Sequence, residues 1–157
     1  MPDSQPTLIL GWRERVDIPA WHIRGIRAKI DTGARTSAID VAQIEELEDG
    51  RIRFEVVART SPTRRTRWIE ATPVRQTIVK SSNGESQTRH VCLVHVRIGP
   101  FERDIEVSLV CRQGMLCRML IGRTAMEGMA LVDPSQTFLV TSGTSAKQRQ
   151  APAEGTT

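Results

Sequence analysis

The feature that most constrains this chain is a short alternating segment that runs directly into an aspartate and a glycine. Apolar Ile26, Ala28 and Ile30 alternate with basic residues, the pattern of a strand with one buried face. Gly33 permits a tight turn just after Asp31. Asp31 is therefore predicted to end a strand, where the backbone has little freedom to move. A carboxylate held in this way can act as a catalytic group. Asp and Gly are also common in ordinary turns, so Asp-Thr-Gly alone leaves both interpretations open.

Composition and patterning favour an all-β fold. A chain of 157 residues suits one domain, and with 4% aromatics and no tyrosine its core must come mainly from Val, Ile, Leu and Met. Segments such as 51–57 alternate apolar and charged residues, whereas 122–127 has the pattern of a short helix ended by Gly128. Two further predictions are an acidic, locally helical segment over 44–49 and a short strand over 137–140.

A second segment supports the chemical interpretation of Asp31. Residues 119–126 read Met-Leu-Ile-Gly-Arg-Thr-Ala-Met. Asp-Thr-Gly-Ala, followed downstream by two apolar residues, Gly and Arg, resembles the retropepsin-like aspartic proteases. Matching segments at 11–14, 80–85 and 131–134 extend the resemblance to a bacterial single-domain subgroup. Its members are often labelled ATP-dependent zinc proteases and are found alongside ATP-grasp glutamate ligases of the ribosomal-modification type.

The resemblance implies a closed, retropepsin-like barrel, equivalent to one acid-protease half, with one short helix. It makes Asp31 the catalytic residue and Thr32, Gly33 and Ala34 the rest of the active-site loop. The residues that it implies as supports for this loop are Ser37, Leu120, Ile121, Gly122 and Arg123. Arg123 is expected to tie its helix to the loop by hydrogen bonds. Ser37 can equally be an ordinary strand serine.

One Asp-Thr-Gly is half of an aspartic protease site, because these enzymes place two carboxylates around one water. Like charges so close cannot both ionise easily, so the pair shares a proton and acts as a unit. The chain contains a single Asp-Thr-Gly. A working site therefore predicts a symmetric homodimer in which Asp31 of each subunit meets at the two-fold axis, with Thr32 hydrogen-bonded across it.

A polar, glycine-containing turn is predicted to form the flap, the hairpin that closes over substrate in this family. Its residues are Lys80, Ser81, Ser82, Asn83, Gly84 and Glu85. Asn83-Gly84 is a preferred two-residue hairpin connection, because both positions tolerate positive φ. A surface hairpin that covers nothing would carry the same signature. The position of the turn between the two halves of the active-site motif favours the flap.

The formal net charge of +4 suits acidic partners. Guanidinium groups form bidentate pairs with carboxylates, so an acidic peptide is the predicted substrate, such as a poly-glutamate tail on a ribosomal protein. The arginines predicted to bind it are Arg35, Arg64, Arg65, Arg75 and Arg89. A solvated surface arginine is an equal alternative for Arg35. Two other functions stay open: a non-catalytic module that regulates a glutamate ligase, and RNA or ribosome binding through 59–75.

No metal or cofactor is predicted from the residues. The chain lacks His-Glu-x-x-His and paired Cys-x-x-Cys motifs. In one strand, His90 and Cys92 would share a face while His95 points the other way. No phosphate-binding Gly-x-x-x-x-Gly-Lys loop is present either, so any ATP dependence would have to come from a partner.

Cysteine usage and the chain ends complete the prediction. The cysteines are predicted to be reduced core residues of a cytoplasmic protein, since no signal peptide or membrane-spanning run is visible. They are Cys92, Cys111 and Cys117. The retropepsin-like domain is expected over 7–141, with a disordered N-terminus at 1–6 and a disordered tail at 142–157.

Overall fold

Alternating segments of the sequence form strands that bury their apolar faces. The computed structural model describes residues 7–80, 82–111 and 117–141. In chain order the elements in these residues are β1 (Leu8–Gly11), β2 (Arg13–Ile18), a 3-10 turn (Pro19–Trp21), β3 (Ile23–Asp31), β4 (Ser37–Glu46), β5 (Ile52–Arg59), β6 (Arg65–Ala71), β7 (Arg75–Lys80), β8 (Ser86–Ile98), β9 (Phe101–Val110), β10 (Met119–Gly122), α1 (Arg123–Met126) and β11 (Ala130–Asp133).

Six of these strands close into a barrel in the order β10, β3, β2, β8, β9 and β4, with β4 pairing back onto β10. β10 is parallel to β3 and antiparallel to β4, so it is the strand that closes the barrel. Strands make up 63% of the described residues, and α1 is a single short helix among them. The predicted fold class, an all-β retropepsin-like barrel with one short helix, is confirmed.

The barrel interior is filled mainly by branched aliphatic side chains. Among the few aromatics, Phe54 and Phe101 are fully buried, and Trp21 packs edge-on against Phe54 with ring centroids 5.1 Å apart. Along β8, the even-numbered residues from Cys92 to Ile98 are buried, while Leu93 lies on the exposed face. Each fully buried aliphatic or aromatic side chain stabilises the fold by about 1.5–3 kcal/mol relative to an exposed one.

Two hairpins extend the sheet beyond the barrel. β5 and β6 form one, and β7 with the first half of β8 forms the other, from the pair Arg75↔Val91 to the pair Lys80↔Ser86. The second half of β8 pairs with β9. β1 and β11 form a separate two-stranded parallel sheet. Across the described part of the chain, no helix has the length and apolar character needed to span a membrane.

The prediction of a helical segment over 44–49 is wrong. β4 continues to Glu46, and Ile44 pairs with Phe54 in the hairpin with β5. The turn that follows is closed by the Leu47 N–H, which donates to the carbonyl oxygen of Arg51 at 2.9 Å. Strand pairing and the packing of Ile44 against the core override the weak helical preference of this glutamate-rich stretch.

The predicted strand over 137–140 is also wrong, although the chain there lies beside β2. Phe138 has a φ of +52°, outside the β region. Its N–H donates to the carbonyl of Arg13 at 2.8 Å, but the N–H groups of Leu139 and Val140 donate to the side-chain carboxylate of Glu14. Because a side chain accepts these bonds in place of a neighbouring strand, regular pairing does not form.

The cysteine prediction is correct for two residues and wrong for the third. Cys92 and Cys117 are buried, whereas Cys111, which directly follows the last residue of β9, is exposed. All three are free thiols. The predicted disordered ends, 1–6 and 142–157, and the predicted flap residue Ser81 lie outside the described residues.

Candidate active site

Asp31 is the last residue of β3, and its position is set by the neighbouring strand. β10 runs parallel to β3 with Ile121 opposite Ile30 and Gly122 opposite Asp31. Beyond the strand, the Gly33 N–H donates to Asp31 Oδ1 at 2.9 Å, and the Ala34 N–H donates to the Asp31 carbonyl at 3.2 Å. The carboxylate is thus held at a tight turn and is partly exposed to solvent.

Gly122 allows the two halves of the motif to touch. A Cβ at Gly122 would overlap the carbonyl of Thr36 and lie 2.8 Å from the Thr36 nitrogen. The Gly122 N–H donates to Ser37 Oγ at 3.0 Å in a buried contact. Ser37, which is part of β4, therefore bonds to the supporting strand through its side chain. Leu120 pairs with Ala38 on the other side, so β10 lies between β3 and β4.

The helix α1 holds the outer side of the loop by its first turn. The Arg123 N–H donates to the Ala34 carbonyl at 2.7 Å, and Arg123 Nη1 lies 3.5 Å from the Gly33 carbonyl oxygen. Thr124 donates from its Oγ1 to the Arg35 carbonyl at 2.8 Å. The loop that contains Asp31 is therefore hydrogen-bonded on the side of β10 and on the side of α1. Such a network limits the positions that the carboxylate can take.

Two of these supports were not identified from the sequence. Thr124 follows the Gly-Arg pair but carries no recognisable signal. Arg103 lies in the middle of β9, and its Nη1 donates to the carbonyls of Ala125 and Glu127, each at 3.0 Å. It therefore satisfies the free carbonyls at the end of α1. A lone arginine in an alternating strand gives no hint of such a contact, because it depends on tertiary packing.

A cavity of about 520 Å³ lies beside the loop. Its lining comes from the residues after Ala34, from the β7–β8 hairpin and from β9: Arg35, Thr36, Arg75, Thr77, Val79, Arg89 and Ser108. Its volume is within the range of small-ligand and peptide side-chain pockets. Asp31 does not line it and lies at the opposite end of the same loop. Three of the five arginines predicted to bind substrate thus share one cavity with the hairpin.

The arginines that line this cavity differ in whether they have a hydrogen-bond or ion-pair partner. Arg75 pairs with Glu106, Nη2 to Oε1 at 2.7 Å, and both side chains are nearly half exposed. Arg89 Nε is buried and has no hydrogen-bond partner among the described residues. Arg65 lies in a separate groove, and Arg64 lines neither. The structure therefore brings Arg35, Arg75 and Arg89 together but not Arg64 and Arg65.

The predicted flap is the end of the β7–β8 hairpin. Lys80 pairs with Ser86, so the connection spans 81–85 and is longer than the predicted two-residue turn. Gly84 has a φ of +88°, but Asn83 does not have a positive φ. Asn83 Oδ1 instead accepts the N–H of Glu85 at 3.1 Å, which is a local side-chain turn. Within the described residues, the prediction of a paired positive-φ turn is wrong.

The side chains considered as metal ligands do not converge. His90 and Cys92 point inward and are buried, while His95 is on the outer face, hydrogen-bonded to Glu102 and Asp104 at 2.8 Å each. Burial raises the pKa of the Cys92 thiol to about 11, so it stays protonated. In the part of the chain that the structure describes, no group of three His, Cys, Asp or Glu side chains could hold a metal ion.

Comparisons with known proteins agree with this geometry. Residues 9–142 match the family model RimB-like, described as retropepsin-like aspartic endopeptidase RimB. The chain is 36% identical over 142 residues to a probable alpha-L-glutamate ligase of Shewanella pealeana (strain ATCC 700345 / ANG-SQ1), covering 86% of this chain and 30% of that protein. A probable alpha-L-glutamate ligase of Desulfotalea psychrophila (strain LSv54 / DSM 12343) is 33% identical over 130 residues, covering 81% and 28%. The chain thus spans less than a third of these curated relatives.

A solved structure has the same fold. The crystal structure of Lpg0085, a protein of unknown function (DUF785) from Legionella pneumophila subsp. pneumophila str. Philadelphia 1, superposes with a TM-score of 0.67 at 27% identity. The match covers 85% of this chain and 98% of that one. With the family model matching most of the sequence, including both halves of the loop and its support, the chain belongs to the RimB-like family of retropepsin-like aspartic endopeptidases.

Proposed function

We propose that this protein is a homodimeric aspartic endopeptidase in which each subunit contributes Asp31. The observation that carries the proposal is the setting of this carboxylate. It ends β3, lies opposite Gly122 of β10, and belongs to a loop that is hydrogen-bonded to α1. Membership of the RimB-like family supports the same chemistry. No other aspartate in the described residues occupies such a strand end between two supporting elements.

The mechanism requires two copies of the loop around one water. Two facing Asp31 carboxylates would share one proton, since both cannot ionise at such short distance. The ionised member takes a proton from water, which attacks the peptide carbonyl, while the protonated member polarises the carbonyl oxygen. Thr32 is exposed on the same loop and would bond across the two-fold axis to hold both loops in place.

The proposed substrate is an acidic or poly-glutamate-tailed protein, such as a modified ribosomal protein. The cavity beside the loop presents guanidinium groups from Arg35, Arg75 and Arg89. A substrate carboxylate could replace Glu106 at Arg75, because that pair is exposed and therefore weak. The relatives named probable alpha-L-glutamate ligase support glutamate-containing chains as substrates and a functional link to such a ligase.

The β7–β8 hairpin is proposed as the flap over this substrate. Thr77 and Val79 on its inner face line the same cavity as Arg35 and Thr36 of the loop. The hairpin end, including Lys80, Ser82 and the turn that follows, is exposed and lies beyond the barrel. A hairpin that faces the active-site loop across a cavity is in a position to cover a bound peptide.

A reducing, intracellular location is part of the proposal. Cys92, Cys111 and Cys117 are all free. Persisting free thiols, one of them exposed, are typical of proteins kept in a reducing compartment. This location would also place the enzyme with ribosomal substrates.

A binding module without peptidase activity is the second candidate. The observation that favours it is that this region makes up about 30% of proteins named for a ligase. In that case the cavity that Arg35, Arg75 and Arg89 line would present the acidic chain to the ligase, and Asp31 would have no chemical role. The two candidates differ in turnover, since both predict binding of an acidic peptide.

Asp31→Asn separates the two candidates. The substitution preserves shape, so the variant should fold, bind a glutamate-tailed peptide and fail to hydrolyse it, with product formation measured by mass spectrometry. Asp49→Asn, in an exposed turn, is the matched control and should cleave like the wild type. Binding without hydrolysis by the wild type would favour the second candidate, and hydrolysis by Asp31→Asn would overturn the mechanism.

Mixing the two proteins tests the dimer. Excess Asp31→Asn subunits should draw wild-type subunits into dimers with one carboxylate and so lower the wild-type rate. The expected inhibition grows with the fraction of variant subunits, whereas Asp49→Asn subunits added in the same amounts should not inhibit. A wild-type rate that is unaffected by the Asp31→Asn subunits would show that a single subunit suffices.

A further inference from the structure

A second and larger groove, of about 1310 Å³, lies between the start of β3 and the β5–β6 hairpin. Its described lining contains eight arginines and one carboxylate, that of Asp17. Asp17 Oδ1 is engaged by the N–H of Gly25 at 2.8 Å. The groove is therefore a concentrated positive surface on a chain whose overall charge is only +4. We name it the arginine groove.

Most of these charges are not neutralised. Arg118 is paired with Asp40, Arg97 lies 3.5 Å from Glu102, and Arg59 donates to a backbone carbonyl. For the other five, no carboxylate of the described residues lies within ion-pair distance: Arg15, Arg24, Arg27, Arg65 and Arg67. The last four are exposed, so the groove presents several free guanidinium groups on two different hairpins.

Arg15 shows that the positive charges of the groove repel one another. Its Nε is buried with no hydrogen-bond partner among the described residues, and its guanidinium lies 5.1 Å from the centre of the Phe138 ring. Burial, followed by the positive charge of Arg27, lowers the pKa of Arg15. A bound anion would relieve both effects, because it would supply an acceptor and an opposite charge.

The lining indicates which anion fits. Besides arginines it offers the hydroxyls of Thr60, Ser61 and Thr66, all donors that commonly contact phosphate oxygens. No Phe, Tyr or Trp lines the described groove and His22 is its one aromatic ring, so it offers little surface for stacking successive single-stranded bases. Its volume also exceeds the range of small-molecule pockets.

We propose that the arginine groove binds the phosphodiester backbone of a nucleic-acid duplex. The site is separate from the proposed peptidase site. At about 3.3 Å per residue along β3, Arg27 is roughly 13 Å and Arg24 roughly 23 Å from Asp31. The RNA binding considered from the sequence used residues 59–75 alone. The structure adds arginines from β2, β3, β8 and the segment before β10 to that stretch.

The test compares a groove variant with a control of equal charge. Full-length Arg24→Gln/Arg27→Gln/Arg67→Gln is measured against Lys29→Gln/Arg53→Gln/Arg64→Gln, whose positions lie outside the groove lining. Fluorescence anisotropy follows a short labelled RNA duplex, the same DNA duplex and a poly-glutamate peptide over about 50–200 mM salt. The groove variant should bind either duplex at least about tenfold more weakly, with a salt slope smaller by about 0.9 per lost phosphate contact.

The outcomes separate the alternatives. Duplex binding that is lost in the groove variant and kept in the control supports the proposal, and the RNA and DNA arms tell which backbone is preferred. Binding of poly-glutamate alone at the groove would replace the proposal by an acidic-peptide site. Equal losses in both variants, or no duplex binding, would overturn it. Hydrolysis of a glutamate-tailed peptide should be the same in the groove variant as in the wild type, so failure here leaves the Asp31 mechanism separately testable.

Discussion

Two carboxylates of the β2–β3 hairpin have opposite environments. Glu14 is fully buried and accepts five hydrogen bonds: from the N–H groups of Gly11, Leu139, Val140 and Thr141 and from the Thr141 hydroxyl. Asp31 is partly exposed, and its carboxylate accepts one hydrogen bond among the described residues, from the Gly33 N–H. The loop around Asp31 is instead held through its backbone carbonyls, by Arg123 and Thr124, while Ser37 Oγ accepts the N–H of Gly122 just beyond the loop.

The difference shows which carboxylate has free acceptor sites. At Glu14 both carboxylate oxygens accept hydrogen bonds from the chain, which leaves no acceptor site open to water. It joins residues 139–141 to β2. At Asp31 the support is provided by neighbouring backbone, which leaves carboxylate lone pairs open. A catalytic site needs a rigid backbone around a functional group whose hydrogen-bonding sites are still free.

The largest expected effect on stability is that of Glu14→Ala. Removing this side chain leaves several buried N–H groups without an acceptor, and hydrogen bonds to charged groups are worth about 1.5–3 kcal/mol each. The free energy of unfolding, measured by urea denaturation, should fall by more than about 3 kcal/mol. Asp31→Ala should change it by less than about 1 kcal/mol, since the site is partly exposed.

Glu48→Ala is the matched control, because Glu48 is exposed in the turn between β4 and β5. Its effect should stay within about 0.5 kcal/mol. A Glu14→Ala protein as stable as Glu48→Ala would contradict the structural role assigned to Glu14. A strongly destabilised Asp31→Ala protein would contradict the contrast between the two carboxylates.

Gly122→Ala tests the frame around Asp31. The added methyl group overlaps the Thr36 backbone, so the loop or β10 must shift. The expected cost is about 1–3 kcal/mol, with loss of hydrogen-exchange protection across 31–37. Gly50→Ala is a control for position: Gly50 has a φ of +85°, so an alanine there is strained by about 1 kcal/mol, but its Cβ meets no atom within 4 Å and protection across 31–37 should not change. Unchanged protection in Gly122→Ala would mean that the two halves of the motif do not depend on close contact.

Ser37→Ala and Thr124→Val sharpen the comparison within the frame. Ser37→Ala leaves the buried Gly122 N–H unpaired and should cost about 1–3 kcal/mol. Thr124→Val removes an exposed bond to the Arg35 carbonyl, where water can take over, so its cost should be smaller. The midpoint temperatures of thermal unfolding show which variant loses more stability. Equal losses would show that burial does not set the strength of these supports.

Much of this arrangement was predictable because it depends on short patterns. The alternation of apolar and charged residues predicts the strands β3, β5 and β9. Asp-Thr-Gly and the later Leu-Ile-Gly-Arg indicate the loop and its supporting strand. Gly122 was predictable as a contact, since only a glycine permits backbone approach of this kind. The three arginines of the cavity were also predicted, although the sequence did not distinguish them from Arg64 and Arg65.

The unpredicted parts depend on contacts between distant segments. Nothing in the sequence around Glu14 indicates that it binds residues more than a hundred positions later. The pattern of 137–140 predicts a strand, because the sequence does not show that a side chain accepts its hydrogen bonds. Arg103 at the end of α1 and the arginine groove have the same origin. Both assemble from strands that are neighbours only after the barrel has closed.

The smallest expected effect concerns His95, whose two carboxylate partners are exposed. The hydrogen bonds that His95 donates, first to Glu102 and then to Asp104, raise the pKa of His95, and the bond accepted from His95 lowers the pKa of Glu102. The protonated imidazole therefore stabilises the fold fully below about pH 6.5, and this contribution is lost as the pH rises through the folded pKa. His95→Gln should be less stable than the wild type near pH 5.5 and equally stable well above neutrality. An NMR titration of the wild-type imidazole checks the premise: a midpoint at or below 6.5 would contradict it. The expected difference is small because solvent screens this exposed cluster, unlike the carboxylate of Glu14.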